Sequence, residues 1–176
     1  MRYNSINSCE CTNGLGWGVS LFTQGCPIHC KGCFNPETWD FNGGKLVTGK
    51  VEHELYQLLK PSYITRFSIL GGEPLIKDNL KQLNYMLCTI KSNYPDIKIW
   101  IWTGYTWDEI QEQRKEMCPD LLLVTFKYTD VLVAGPFIQE EKDLTLKWCG
   151  SRNQEIIDIN ETEKQQRKVL YVGEDF

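Results

Sequence analysis

The chain has 176 residues, of which 19 are Lys or Arg and 23 are Asp or Glu, giving a formal charge of −4. That length suits one domain, residues 1–176, and the acidic balance is the wrong sign for a protein that grips phosphates, so no nucleic-acid partner is expected. With 41% hydrophobic and 24% charged residues the composition is that of a folded globular protein, and no apolar run approaches the ~20 residues of a membrane span.

Residues 1–10 are polar and lack a signal-peptide hydrophobic region, so a cytoplasmic protein with its eight cysteines reduced is expected. Residues 18–23 (GVSLFT) read as a strand leading into a loop rich in cysteine and glycine. Residues 51–60 read as a helix with Val51, Leu55, Leu58 and Leu59 on one face, Thr48 as its cap and Pro61 at its end. A second strand, 64–70, runs into Gly71-Gly72. A second helix, 78–93, repeats Leu80, Leu83, Leu87 and Ile90 at helical spacing. A third strand, 97–102, precedes a helix at 107–117 that Pro119 closes; a fourth strand, 131–134, ends at Gly135-Pro136, and 169–172 reads as a terminal strand.

Strands alternating with helices predict an α/β fold with a mainly parallel sheet. A closed eight-fold barrel takes ~250 residues, so only an incomplete, TIM-like partial barrel is available to this chain. Polar motifs fall where strands end: Gln24-Gly25-Cys26, Gly71-Gly72-Glu73 and Thr103-Gly104-Tyr105. Parallel α/β folds place their sites beyond those carboxyl ends, so the site is expected there.

Cys26, Cys30 and Cys33 form C-x3-C-x2-C inside GCPIHCKGCFNPETW. Three thiolates so close can wrap one inorganic centre. A structural zinc would need a fourth ligand, from His29, Cys9 or Cys11. An iron–sulfur cubane with only three thiolates would keep one iron open to a substrate. Disulfides do not suit a reducing compartment. Of the remaining cysteines, Cys88 reads as a small core residue, Cys118 sits at a helix end, Cys149 lies in a polar loop, and Cys9 and Cys11 read as neighbouring surface thiols.

The cysteine motif followed by Phe34, together with GGEP at 71–74 after the next strand, resembles the radical S-adenosylmethionine superfamily. Within it the chain is most similar to the anaerobic ribonucleoside-triphosphate reductase-activating proteins. The resemblance is carried by VSLFTQGCPIHCKGCFNPETWDF (19–41), GGEPL (71–75), WTGYTWDEI (102–110), DVLVAGPFI (130–138) and KWCGSRNQEIID (147–158). Two positions depart from that family's pattern: Ala134 stands where it usually has Asp, and Cys149 where it usually has Arg.

The resemblance implies a 4Fe–4S cluster on Cys26, Cys30 and Cys33, with the open iron chelating the amino and carboxylate groups of S-adenosylmethionine. It further implies reductive cleavage of that cofactor to a 5′-deoxyadenosyl radical, which takes a hydrogen from a glycine of the anaerobic ribonucleoside-triphosphate reductase. The electron would come from a donor such as a flavodoxin. Gly71 and Gly72 would let the backbone approach the methionine end, with Glu73 assisting by its charge. Phe34 would lie beside the adenine, Thr103 would reach the ribose or carboxylate, and Asn35 and the Arg152-Asn153-Gln154 run would contact cofactor or partner. Thr106 is an alternative helix cap. His29 and His53 are expected to be solvated. Trp17, Trp39, Trp102 and Trp107 would serve either as packing or as a docking surface for the partner's glycine loop. Two readings stand beside this one: radical chemistry on another glycyl-radical enzyme or a small molecule, and a non-catalytic zinc-binding adaptor.

Overall fold

The computed structural model describes residues 1–116 and 119–173. Its strands are β1 (Arg2–Glu10), β2 (Gly18–Gln24), β3 (Lys45–Leu46), β4 (Arg66–Gly71), β5 (Lys98–Thr103), β6 (Val131–Ala134) and β7 (Glu155–Asp158). They form one sheet in the order β3-β1-β2-β4-β5-β6-β7. The middle four, β2, β4, β5 and β6, are parallel, and β1, β3 and β7 are antiparallel to their neighbours. The α/β class and the mainly parallel sheet are therefore as expected. The sheet is mixed and not closed, with antiparallel strands finishing both sides.

The helices are α1 (Gly49–Leu58), α2 (Lys77–Asn93), α3 (Trp107–Glu116), α4 (Pro119–Tyr128) and α5 (Ile159–Gln165). Their buried residues join one face of the sheet. Val19 and Leu21, Phe67 and Ile69, Ile99 and Ile101, and Leu132 alternate along the parallel strands and pack with Leu55, Leu83, Leu87, Ile110, Phe126 and Ile159. The residues between them face the other way, where, among the described residues, no helix packs on the Trp100, Val131 and Val133 cluster. Among the described residues, no helix is long and apolar enough to cross a membrane.

Local chemistry explains most helix starts. Thr48 caps α1 by accepting from the Val51 N–H at 3.5 Å. Thr106 and Glu109 form a reciprocal capping box at α3, the carboxylate accepting from the Thr106 N–H at 2.7 Å. Asp158 caps α5 through the Glu161 N–H at 2.9 Å.

The structure corrects two sequence expectations of secondary structure. Pro119 opens a helix, α4, rather than only closing the one before it; proline suits a first helical turn because its missing N–H would have no partner there. The apolar run Leu121 to Val124 hides the helical period, but Leu122, Thr125 and Phe126 are buried, and Asn84 of α2 hydrogen-bonds both the Leu121 carbonyl and the Thr125 hydroxyl. Residues 169–172 make only a single bridge, Leu170 to Ile157, and no strand. β1, β7 and α5 were not legible, being polar or short. Cys118 and Met117 lie outside the described residues.

Candidate functional site

The cysteine loop leaves β2 through Gln24 and Gly25. The Gln24 side chain donates to the carbonyls of Glu37 and Asp40, at 3.0 and 2.8 Å, and the Gly25 N–H donates to Thr38 at 2.8 Å. These bonds clamp the two ends of the loop together. A short 3₁₀ turn, Pro36–Thr38, closes it, with the Thr38 hydroxyl on the Asn35 carbonyl.

Within the loop each of the three sulfurs faces backbone N–H groups. Ile28 and His29 donate to Cys26, Phe137 donates to Cys30, and Asn35 donates to Cys33 at 3.4 Å. Burial pushes the Cys26 and Cys30 thiols up, and neighbouring negative groups, Glu73 among them, add to it; the N–H donors act in the opposite sense. His29 is exposed and stacks on Trp39, the ring centroids 4.8 Å apart.

The turn after β4 is braced against the same loop. The Gly72 N–H donates to Thr23 and the Glu73 N–H to Gly25, both at 2.9 Å. A Cβ on Gly72 would stand 2.6 Å from the Gly25 carbonyl oxygen, and Gly71 has φ +99°. Glycine is required here by a backbone crossing a backbone. The Glu73 carboxylate is fully enclosed. It accepts from the Leu75 N–H (2.9 Å), the Thr103 hydroxyl (2.8 Å) and the Gly104 N–H (2.8 Å). Burial pushes its pKa up to about 7, against those three donors. Glu73 and Thr103 thus tie the ends of β4 and β5 together.

Beyond these strand ends lies a cavity of about 570 Å³ on the helix-free face. Cys26, Cys30, Cys33, Phe34, Asn35, Gly71, Gly72, Glu73 and Thr103 line it, as does Gln154, whereas Arg152 and Asn153 do not. Phe22, Leu70 and Trp102 rise into it from the sheet, and Phe34 packs on Phe137 at 5.0 Å under the ammonium of Lys142.

Another wall comes from residues 135–154, which contribute Phe137, Leu144, Trp148 and Cys149, and Asn7, Thr12 and Asn13 line the cavity as well. The 135–154 segment is pinned by the residues expected to touch cofactor or partner. Gln154 bonds the Gly150 N–H at 2.7 Å and the Gly135 carbonyl at 3.0 Å, Asn153 donates to the Pro136 carbonyl at 2.8 Å, and Arg152 pairs with Asp143 at 3.0 Å. Cys149 lies in a loop, as expected, and packs half-buried against the Trp100, Val131 and Val133 cluster, where burial pushes its thiol up to about 11. Ala134 is buried on the helix side and does not line the cavity.

The four tryptophans divide. Trp39 and Trp102 line the cavity, Trp17 is half exposed elsewhere on the surface, and Trp107 packs on Phe126 under the helices. Cys9 and Cys11 are exposed, and Cys88 receives a bond from the Tyr128 hydroxyl at 3.4 Å.

The donor chemistry fits an iron–sulfur cluster. Three thiols from one loop line one cavity, and each meets N–H donors of the kind that stabilise cluster sulfurs. Among the described residues no three His, Cys, Asp or Glu side chains converge tightly enough for one metal ion. A cubane asks less of them, since each thiolate takes its own iron.

Comparison with known proteins agrees. A family described as a 4Fe-4S single cluster domain matches residues 12–157. The chain is 37% identical to the anaerobic ribonucleoside-triphosphate reductase-activating protein of Vibrio cholerae, over 89% of this chain and 97% of that one. It is 38% identical to the protein of that name from Haemophilus influenzae, over 88% and 96% of the two chains, and 35% identical to that of Enterobacteria phage T4, over 89% and 93%. The chain belongs to the family of anaerobic ribonucleoside-triphosphate reductase-activating proteins and carries a 4Fe-4S single cluster domain.

Proposed function

We propose that this chain is a radical S-adenosylmethionine enzyme that installs the glycyl radical on an anaerobic ribonucleoside-triphosphate reductase. Cys26, Cys30 and Cys33 would hold a 4Fe–4S cluster whose open iron takes S-adenosylmethionine. The single observation that supports this best is that those three cysteines and the Gly71-Gly72-Glu73 turn line one cavity at the carboxyl ends of parallel strands. Bound there, the cluster and S-adenosylmethionine supply the one-electron chemistry that ends in loss of a hydrogen atom from the partner's glycine.

The chain's own residues bind, orient and shield. The clamp from Gln24 and Gly25 sets the loop, and the N–H groups of Ile28, His29, Phe137 and Asn35 favour anionic sulfur. Glu73 has both oxygens engaged by protein donors, so its role is to position the Gly71-Gly72 turn and the end of β5 rather than to bond the cofactor itself. Phe34 and Asn35 line the wall available to the adenosine, and Trp102 and Phe22 form an apolar floor that limits water. The open sheet serves as the partial barrel of this chemistry, in a single domain and in the cytoplasm, with a flavodoxin or similar donor supplying the electron.

The test is anaerobic incubation of the protein with reductant, S-adenosylmethionine and the reductase. The expected products are 5′-deoxyadenosine and an organic radical on the reductase, both abolished in Cys30→Ala. Turnover surviving in Cys30→Ala, or 5′-deoxyadenosine formed with no protein radical, would contradict the proposal.

A further inference from the structure

A second cavity, of about 300 Å³, lies on the helix side of the sheet between α3 and α5, and shares no residue with the first. It is at the small end of the range for ligand sites. One wall is Trp107, Gln111 and Arg114, spaced so that they share a face of α3. The other is the end of α5, where Gln166 takes a left-handed conformation, φ +53°, and turns Arg167 and Lys168 onto the groove.

Its chemistry is unlike the rest of this acidic chain. Among the described residues, three cations line it, and Glu163 is the only acid in the lining. Glu163 takes one bond from Arg114 at 2.8 Å, which leaves most of that guanidinium's five N–H donors free. Lys168 is held by Glu155, at 2.6 Å, which is not part of the lining. Arg167 is exposed and makes no hydrogen bond or ion pair among the described residues. Gln111 brings a buried Nε2 with no acceptor among the described residues. Surplus donors, two of them forked guanidiniums, around one small concavity are what an oxyanion with several acceptor oxygens requires.

We propose that this groove binds a phosphate-bearing small molecule, with Arg114, Arg167 and Lys168 on its phosphate oxygens. The site is separate from the cluster cavity and does not depend on the function proposed above. Trp107 offers an aromatic surface that a nucleoside could use and inorganic phosphate could not.

The test is calorimetric titration of the full chain, prepared anaerobically, with pyrophosphate and with ATP as probes. Saturable binding is expected, weakened about tenfold or more in Arg167→Ala and in Lys168→Ala, since a hydrogen bond to a charged group is lost in each. Both side chains are exposed, so folding is not at stake. Equal affinity for the two probes assigns the site to the phosphate group alone. Tighter ATP binding that falls in Trp107→Phe assigns it to a nucleotide. No saturable heat from either probe, or unchanged binding in both charge variants, would overturn the proposal.

Discussion

The two faces of this sheet are built from the same strands and do opposite work. On the helix side, alternate residues of β2, β4, β5 and β6 are apolar and buried until the carboxyl ends, where Thr23, Gly71 and Thr103 take over. On the other side, their neighbours change character along the strand. Near the start, Arg66 is fully buried and bonds Glu10 at 2.8 Å and the Ser68 hydroxyl, while Ser20 donates to Glu10 at 2.5 Å. Toward the carboxyl ends the same face becomes Phe22, Leu70 and Trp102 and opens into the cavity. One face is therefore chiefly a source of stability, and the other is a polar anchor followed by a site. Alternation with a period of two lets one strand encode both.

That division predicts that the faces fail differently. Cys26→Ala should remove the iron and all activity yet leave far-UV circular dichroism and the unfolding midpoint close to those of the metal-free parent; unfolding of the whole chain would break the distinction. Glu10→Gln should act on stability instead. It leaves the buried Arg66 guanidinium without its charge partner, costing about 3–5 kcal/mol by urea titration, and a cost under 1 kcal/mol would show the pair to be dispensable. Leu83→Ala, at a fully buried helix-side position, should cost about 2–5 kcal/mol with iron content per folded protein unchanged.

Acid should reveal the same anchor. Burial alone would raise the Glu10 carboxyl, but bonds from Ser20 and Thr12 and the Arg66 guanidinium outweigh it and lower the pKa from 4.5 to about 2. The folded value lies below the unfolded one, so this stabilisation is present above pH 4.5 and is lost as the pH falls toward 2. It amounts to at most about 3 kcal/mol. The parent should lose that much more stability than Glu10→Gln over this window; parallel pH profiles would contradict it. The smallest effect is expected from Cys149→Ser. Cys149 lines the cavity but lies outside the loop that supplies the other three thiols, so iron and sulfide content should not change, whereas loss of iron would mean four thiolates and no open position.

The sequence made the helix face legible because apolar periodicity reports burial, as in 78–93 and 131–134. It failed where burial has another pattern: α4 hides its period inside Leu121 to Val124, and β1 alternates polar residues over a polar anchor. The site was half legible in the same sense. Cys26, Cys30, Cys33 and Gly71-Gly72-Glu73 announce themselves by spacing and residue type. The wall at 135–154 does not, because side-chain bonds to backbone from Ser151, Asn153 and Gln154 hold it in place, and these leave no periodicity to read. The enclosure of Glu73 was also hidden, since a motif gives no sign of which donors surround a carboxylate.

The central claim is a three-thiolate cluster whose remaining iron is open to S-adenosylmethionine. Electron paramagnetic resonance of the dithionite-reduced protein, with and without S-adenosylmethionine, tests it most directly. A reduced 4Fe–4S signal that changes on addition of the cofactor is expected. A colourless zinc protein with no such signal, or a cluster signal indifferent to S-adenosylmethionine, would contradict it.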